Sequence, residues 1–366
     1  MHALITSDTV GGVWTYTREL VAGLALNGHT ITLVSFGNLP SPDQTLWLRQ
    51  LKTVDYRPTE YRLEWMEVDE RDIEESRHYL ELLVREVQPD VLHFSQYCYG
   101  DIDVDVPRIV VAHSDVVSWW VAVHGHEPGD TPWMRRYREH VTKGLRAADL
   151  VVAPSQWMLD ALSRHYLRPE YGTVIYNGRS PELFDPEQHK QGFVLSVGRI
   201  WDEGKHVSLL LQTPQPVATK IVGWTQEPGR EKKALPACPP NIELHGPKSQ
   251  DELRHLYAEA AIYAATSRYE PFGLSPLEAA FSRCALMMND LPVFHELWGD
   301  SATYYRKDDP ADLARVSTEL SSKDEWREEL AQKALLRACQ KFTAARMVAE
   351  YESAYHQVAS RTERVA

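Results

Sequence analysis

Cysteine is scarce in this chain of 366 residues, with four thiols (Cys98, Cys238, Cys284 and Cys339) and no C-x-x-C spacing among them. That pattern excludes a disulfide or zinc framework and predicts reduced thiols in a cytoplasmic protein. Positive charge is also short: 39 Lys and Arg face 52 Asp and Glu, for a net charge of -13. General nucleic-acid binding needs a basic footprint, so it is not expected. A small anionic ligand is a different matter, because one pocket can be basic on an acidic protein. No apolar run approaches the roughly 18 residues of a membrane span. The opening "MHALITSDTVGG" lacks the basic head and apolar core of a signal peptide. No P-loop and no G-x-S-x-G elbow occurs, and no acid–nucleophile pair of glycosidase type stands out.

What is present is a regular alternation. Hydrophobic residues make up 43% and charged residues 25%, as in soluble globular proteins, and the length suggests about two domains. "HALIT" (2–6), "TITLVSF" (30–36), "DVLHFS" (90–95), "RIVVAHS" (108–114), "LVVAPS" (150–155) and "TVIYN" (173–177) read as buried strands. Helical stretches such as 13–27, 72–87 and 133–148 separate them. Near-continuous apolar strands alternating with helices imply a parallel sheet covered on both faces. "NGRSPELFDPEQHKQG" (177–192) is polar and aperiodic, which predicts an interdomain linker. Alternation resumes with "FVLSVG" (193–198), "ATKIVG" (218–223), "NIELHG" (241–246), "AIYAAT" (261–266) and "ALMMND" (285–290), and the end of the chain, about 323–361, is helical. The expected fold class is α/β, with two doubly wound domains. In open parallel sheets, ligands bind beyond the carboxyl ends of the strands, and the unusual residues stand there.

The stretch "RYEPFGLSPLEAA" (268–280) places Glu270 and Glu278 eight apart, around an aromatic, a glycine and Ser-Pro. Ser275 suits a helix N-cap, Pro276 the first helical position, and Glu278 then falls where a capping box needs an acid. On spacing alone Glu278 is as readily structural as functional. The helix start would also offer free N–H groups and the positive dipole end, and Gly273 would let backbone approach an anion. Beside such an anion Glu270 is poorly placed to bind phosphate but well placed to accept hydrogen bonds from sugar hydroxyls; otherwise it is a solvated loop acid. In "SVGRIWDEGKHVSLLL" (196–211), Arg199 and Lys205 follow one strand. A planar fork and a point charge together suit a diphosphate, and two solvated surface cations are the alternative.

Together these residues resemble glycosyltransferase family four. The ordered set is strand–Gly-Arg…Lys, then some 65 residues later Glu-x7-Glu with Phe-Gly between. "SDTVGGVWTYTREL" (7–20), "AADLVVAPSQWM" (147–158) and "VIYNG" (174–178) extend the likeness over essentially the whole chain. The resemblance implies the GT-B fold: two facing Rossmann-like domains with a cleft between them, here 1–178 on the acceptor side and 179–342 on the donor side. A C-terminal helix (343–366) would cross back onto the first domain. It implies a retaining, metal-independent enzyme that moves a sugar from a nucleoside-diphosphate sugar to a glycan, lipid-linked or small-molecule acceptor, with no further cofactor. Arg199 and Lys205 would hold the diphosphate, Glu278 the ribose, and Glu270 with the backbone of Phe272, Gly273 and Leu274 the transferred sugar. Gly11 and Gly12 would let the first loop approach donor or acceptor. His113 would stand near the reacting centre, although a histidine after a strand is by itself more often structural. One departure is Ser282-Arg283-Cys284-Ala285, where glycine is common in the family.

Other readings carry less. A nicotinamide-dependent oxidoreductase needs G-x-G-x-x-G, which "TVGGVW" does not supply. A non-catalytic nucleotide-sugar binder would not require Glu270, Arg199, Lys205 and His113 together. "DIDVD" (101–105) and "HGHE" (124–127) lack the setting of metal motifs, so no metal site is expected. "WMRRYREHVTKGLRAA" (133–148) has an apolar stripe and a basic remainder. It would suit peripheral contact with an anionic inner membrane face, but a stripe turned to the sheet is the plainer reading.

Overall fold

The computed structural model describes residues 1–67, 70–227 and 238–365, with residues 361–365 as backbone only. Ala366, the end of the expected C-terminal helix, lies outside the described residues. The chain divides into two compact units. One comprises Met1–Val121, His126–Gly178 and the closing helix from Ala344; the other comprises Ala122–Gly125 and Arg179–Thr343.

The first unit is built on strands β1 (His2–Asp8), β2 (Thr30–Phe36), β3 (Val54–Pro58), β4 (Val91–Phe94), β5 (Arg108–Val111), β6 (Leu150–Ala153) and β7 (Gly172–Val174). They form one parallel sheet in the order β3-β2-β1-β4-β5-β6-β7. Each face carries its own core. Leu4, Phe36, Leu92, Phe94 and Val110 point to one; Ile5, Leu33, Ile109 and Val111 point to the other. Adjacent residues of a strand face opposite sides, so a sheet buried on both faces must be apolar throughout. The helix Gly12–Leu26 covers the second face together with the last helix, Ala344–Val365. Gly23 makes their crossing possible, since a side chain there would collide with Val348. Asn27 and His29 both meet Glu352 Oε1 at 2.9 Å.

The second unit holds β8 (Gln191–Val197), β9 (Thr219–Val222), β10 (Ile242–Leu244), β11 (Ala260–Ala265), β12 (Ala285–Asn289) and β13 (Thr303–Tyr305). This sheet is also parallel, in the order β10-β9-β8-β11-β12-β13. In both sheets the winding reverses once, between β1 and β4 and between β8 and β11. Reversals of this kind leave a crevice at the carboxyl ends.

Two strands escape the sequence pattern, and both lie at a sheet edge. "VDYRP" (β3) is only partly buried along its length, and "TYY" (β13) is three residues long. Edge strands need not be apolar on both faces, so they do not read as continuous runs. The helix expected over 133–148 is Pro132–Ala147, and its apolar residues Met134, Tyr137, Val141 and Leu145 are buried in the first core. Its basic residues are largely paired: Arg135 with Asp130, Arg136 with Glu70, Arg138 with Glu127 and Lys143 with Glu139. The stripe is therefore spent on the sheet. No helix among the described residues is long and apolar enough to cross a membrane.

The chain passes from the first unit to the second within 177–192, where the linker is expected, but the stretch is partly buried. Arg179 within it is fully buried, and its backbone bridges to Thr343. Phe184 stacks on Phe281 at 5.8 Å. A polar sequence here is compatible with burial because the arginine finds a carboxylate partner.

Candidate functional site

The carboxyl end of β8 leads into Arg199-Ile200-Trp201-Asp202-Glu203-Gly204-Lys205, and one carboxylate organises this loop. Asp202 Oδ1 accepts the backbone N–H of Gly204 at 2.9 Å and of Lys205 at 3.3 Å. Its other oxygen accepts Arg199 Nη2 at 2.6 Å. An aspartate that bonds backbone two residues on makes an Asx turn, which the Asp-x-Gly spacing signals. The Arg199 guanidinium also lies over the Trp201 ring, 5.0 Å from its centre.

The carboxyl end of β11, the strand hydrogen-bonded to β8, supplies the acid. Lys205 Nζ lies 2.6 Å from Glu270 Oε2, and Ser267 Oγ donates to the same oxygen at 3.0 Å. Backbone ties the two loops together as well. Arg268 N donates to Gly204 O at 2.8 Å, and Thr266 Oγ1 donates to Lys205 O at 2.9 Å. Lys205, Glu270, Ser267, Ser196, Tyr263 and Ser275 line one recess at the point where this sheet reverses its winding. Each cation named from the sequence is thus already paired with a carboxylate: Arg199 with Asp202, Lys205 with Glu270.

The Ser275 capping box does not form. The helix is Leu274–Phe281 and its N-cap is Gly273, with φ +94° and no side-chain cap bond. Only glycine enters this turn easily, and a Cβ there would press on Glu270 Cγ at 3.1 Å and Pro276 Cδ at 3.3 Å. Starting the helix two residues early carries Glu278 past the capping position. Its Oε1 instead lies 3.0 Å from Nε of the buried Arg179. Phe272 is buried and packs edge-on against Phe342 at 5.4 Å, so only its backbone is available to a ligand. Leu274 is the first residue of the helix.

Gly11, Gly12 and His113 belong to the first unit. Gly11 is the N-cap of Gly12–Leu26 and has φ +73°, and nothing crowds its α-carbon. His113 follows β5 and sits in contact with Ser95 Oγ at 3.3 Å, its ring edge-on to Tyr16 at 4.5 Å. Burial pushes its pKa down to about 3, so the ring is neutral at pH 7. Behind it lies His93, wholly buried, which meets Tyr16 Oη at 3.3 Å and Tyr355 Oη at 2.8 Å. Burial, with His113 nearby, also lowers His93 to about 3.

Sequence reasoning missed Arg179, Asp202, Ser267 and His93. Asp202 and His93 left faint signals, an Asp two before a Gly and a histidine inside an apolar strand. Arg179 and Ser267 left none. Of the two rejected metal motifs, Asp101 pairs with Arg77 and Glu127 with Arg138 and His165.

Residues 10–183 match the model for Glycosyltransferase Family 4, and residues 191–323 match the model for Glycosyl transferases group 1. The O-antigen chain mannosyltransferase RfbU of Salmonella typhimurium is 27% identical over 168 residues, covering 43% of this chain and 47% of that protein. The match thus spans about half the length of that relative. Among solved structures, a sucrose-phosphate synthase from Thermosynechococcus elongatus aligns with a TM-score of 0.76 at 16% identity, over 98% of this chain and 99% of the other. HepE of Anabaena, solved in complex with UDP and glucose, aligns with a TM-score of 0.72 at 15% identity, over 98% and 100%. At such identities the likeness is one of fold, and the fold is GT-B.

Proposed function

As a member of glycosyltransferase family 4, the family to which this chain belongs, we propose that the protein transfers a sugar from a nucleoside-diphosphate sugar to a hydroxyl of a glycan, lipid-linked or small-molecule acceptor. The observation that carries this reading is the Lys205–Glu270 pair, 2.6 Å apart at the winding reversal of the second sheet. A cation beside a carboxylate complements what a nucleotide sugar presents for recognition: a diphosphate next to a ring of hydroxyls. The relative RfbU is a mannosyltransferase, which favours a hexose.

In this proposal Arg199 and Lys205 bind the diphosphate, and Glu270 accepts from sugar hydroxyls. The bond between the anomeric carbon and the phosphate oxygen breaks with its electron pair on phosphate. Positive charge fixed beside that oxygen stabilises the departing group in a way water cannot, because the donors are already oriented. Retention follows if the acceptor oxygen attacks from the same face and gives its proton to the leaving phosphate. The Arg179 guanidinium, 3.0 Å from Glu278 Oε1, holds that carboxylate in place for the ribose. His113 is neutral at pH 7, so it would bring a hydrogen bond and no charge. The proposal includes metal independence and a protein that works in the cytoplasm.

The test is thermal stabilisation by UDP, GDP, ADP and NAD in the presence of EDTA. A ligand at 100 times its Kd adds about 2.7 kcal/mol. Stabilisation by one nucleoside diphosphate is expected and would name the donor base. A response to NAD alone, or to a diphosphate only with added divalent metal, would overturn the assignment. Turnover then separates a transferase from a protein that only binds the donor.

A further inference from the structure

His206, the residue after Lys205, has φ +47°, and Asp308, in the loop after β13, has φ +57°. Both lie in the left-handed region, which residues with a side chain rarely adopt. Glycine would occupy either position more easily. The two strained residues are bonded to each other: His206 Nδ1 donates to Asp308 Oδ1 at 3.1 Å. Strain of this kind persists only where the surroundings over-determine it, and it collects at functional sites.

The Asp308 carboxylate gathers the other loops at this end of the sheet. Arg268 Nε donates to Oδ2 at 3.1 Å, and Asn289 Nδ2 donates to Oδ1 at 3.3 Å. Asn289, the last residue of β12 and wholly buried, also donates to Ser267 O at 3.0 Å and accepts Asp308 N at 3.1 Å. Burial alone would raise the Asp308 carboxyl, but His206 and Arg268 hold it below the usual range. The loops after β8, β11 and β13 and the end of β12 are therefore joined through one side chain. Two of them carry Lys205 and Glu270.

We propose that His206 and Asp308 are positioning residues, a clasp that fixes the Lys205 loop against the Glu270 loop so that both side chains meet a nucleoside-diphosphate sugar in one arrangement. Neither touches donor in this scheme. Each acts through a neighbour, His206 through Lys205, and Asp308 through Arg268 and, by way of Asn289, through Ser267. Its consequence for affinity rests on the donor-site reading above; its consequence for loop order rests on geometry alone.

Glycine variants test it, because glycine accepts the left-handed backbone and so removes the clasp without forcing the fold. In the full chain, H206G, D308G and the double variant would be compared with wild type by melting temperature, amide hydrogen exchange and the Kd for UDP, GDP and ADP. The clasp predicts melting temperatures within a few degrees of wild type, with exchange at the Lys205, His206 and Arg268 amides faster by at least about tenfold in each single variant. The Kd of whichever diphosphate binds wild type should weaken by about tenfold, the size of one charge-assisted hydrogen bond. The double variant should be no weaker than D308G, because D308G already removes the His206–Asp308 link that H206G removes. Unchanged exchange overturns the clasp. Faster exchange with unchanged affinity overturns its positioning role. If wild type binds none of the three diphosphates, the donor-site reading falls by itself, and amide exchange alone decides the clasp.

Discussion

Arg179 and Glu278 form an ion pair, Nε to Oε1 at 3.0 Å, in which the guanidinium is completely buried. The residue that family resemblance assigns to ribose is therefore already held by a charge from a stretch that looks like linker. A buried pair is costly to break from one side, because the survivor keeps its charge without compensation. Arg179→Ala should lose about 3 kcal/mol of stability. Glu278→Gln should lose less, since the amide keeps the shape. Replacing both by apolar residues should recover part of the loss. Urea unfolding measures all three, and a loss below about 1 kcal/mol for Arg179→Ala would mean that the pair does not hold Glu278.

Lys205 and Glu270 are separable from the fold. A third of the Lys205 side chain is exposed, so the pair adds little stability. Lys205→Ala and Glu270→Gln should each reduce turnover by at least about 100-fold while melting within a few degrees of wild type. Turnover like that of wild type in either variant would remove these residues from the site.

Acid should destabilise the first unit through its histidines. His93 and His113 titrate near pH 3 when folded, through burial, against about 6.5 in an unfolded chain. Below pH 6.5 the unfolded chain binds protons that the folded one does not. Stability is complete above that pH and falls as the pH drops toward 3, by up to about 1.4 kcal/mol per pH unit for each group. His93→Gln should show a shallower fall in melting temperature between pH 7 and 4.5 than wild type. Equal slopes would show that His93 titrates normally.

Arg283 has φ +59° just beyond the helix Leu274–Phe281. It stands in the segment where the family commonly has glycine, and its compensation is a half-exposed pair with Glu328 at 3.0 Å. Arg283→Gly should stabilise the protein by about 0.5 kcal/mol, strain relief exceeding a surface ion pair. A lower urea midpoint would mean that the pair outweighs the strain.

Thiol reactivity should split evenly. Cys238 and Cys339 are exposed, whereas Cys98 and Cys284 are buried, with the Cys284 pKa pushed up to about 11 by burial. A thiol reagent should modify two groups quickly and the other two only on unfolding; four fast groups would contradict the burial.

The buried strands, the order of the elements and the residues at the strand ends were legible because burial imposes a composition. A strand covered on both faces must be apolar, and a helix on a sheet must carry a stripe. Edge strands β3 and β13 escaped because no such demand falls on them. Arg199, Lys205 and Glu270 could be named from the sequence because each follows an apolar strand directly, and the parallel sheet brings those ends to one edge.

The sequence by itself determined which residues stand at the mouths of the strands. Tertiary structure alone decided their partners. Gly273 starts its helix early, which takes Glu278 from a local capping role to Arg179, 99 residues away in the chain. His206 and Asp308, each an awkward residue in its own loop, become intelligible only as a pair 102 residues apart. Periodicity reports how a side chain meets its own element. Charge pairing and backbone strain are settled between elements, where no local pattern records them.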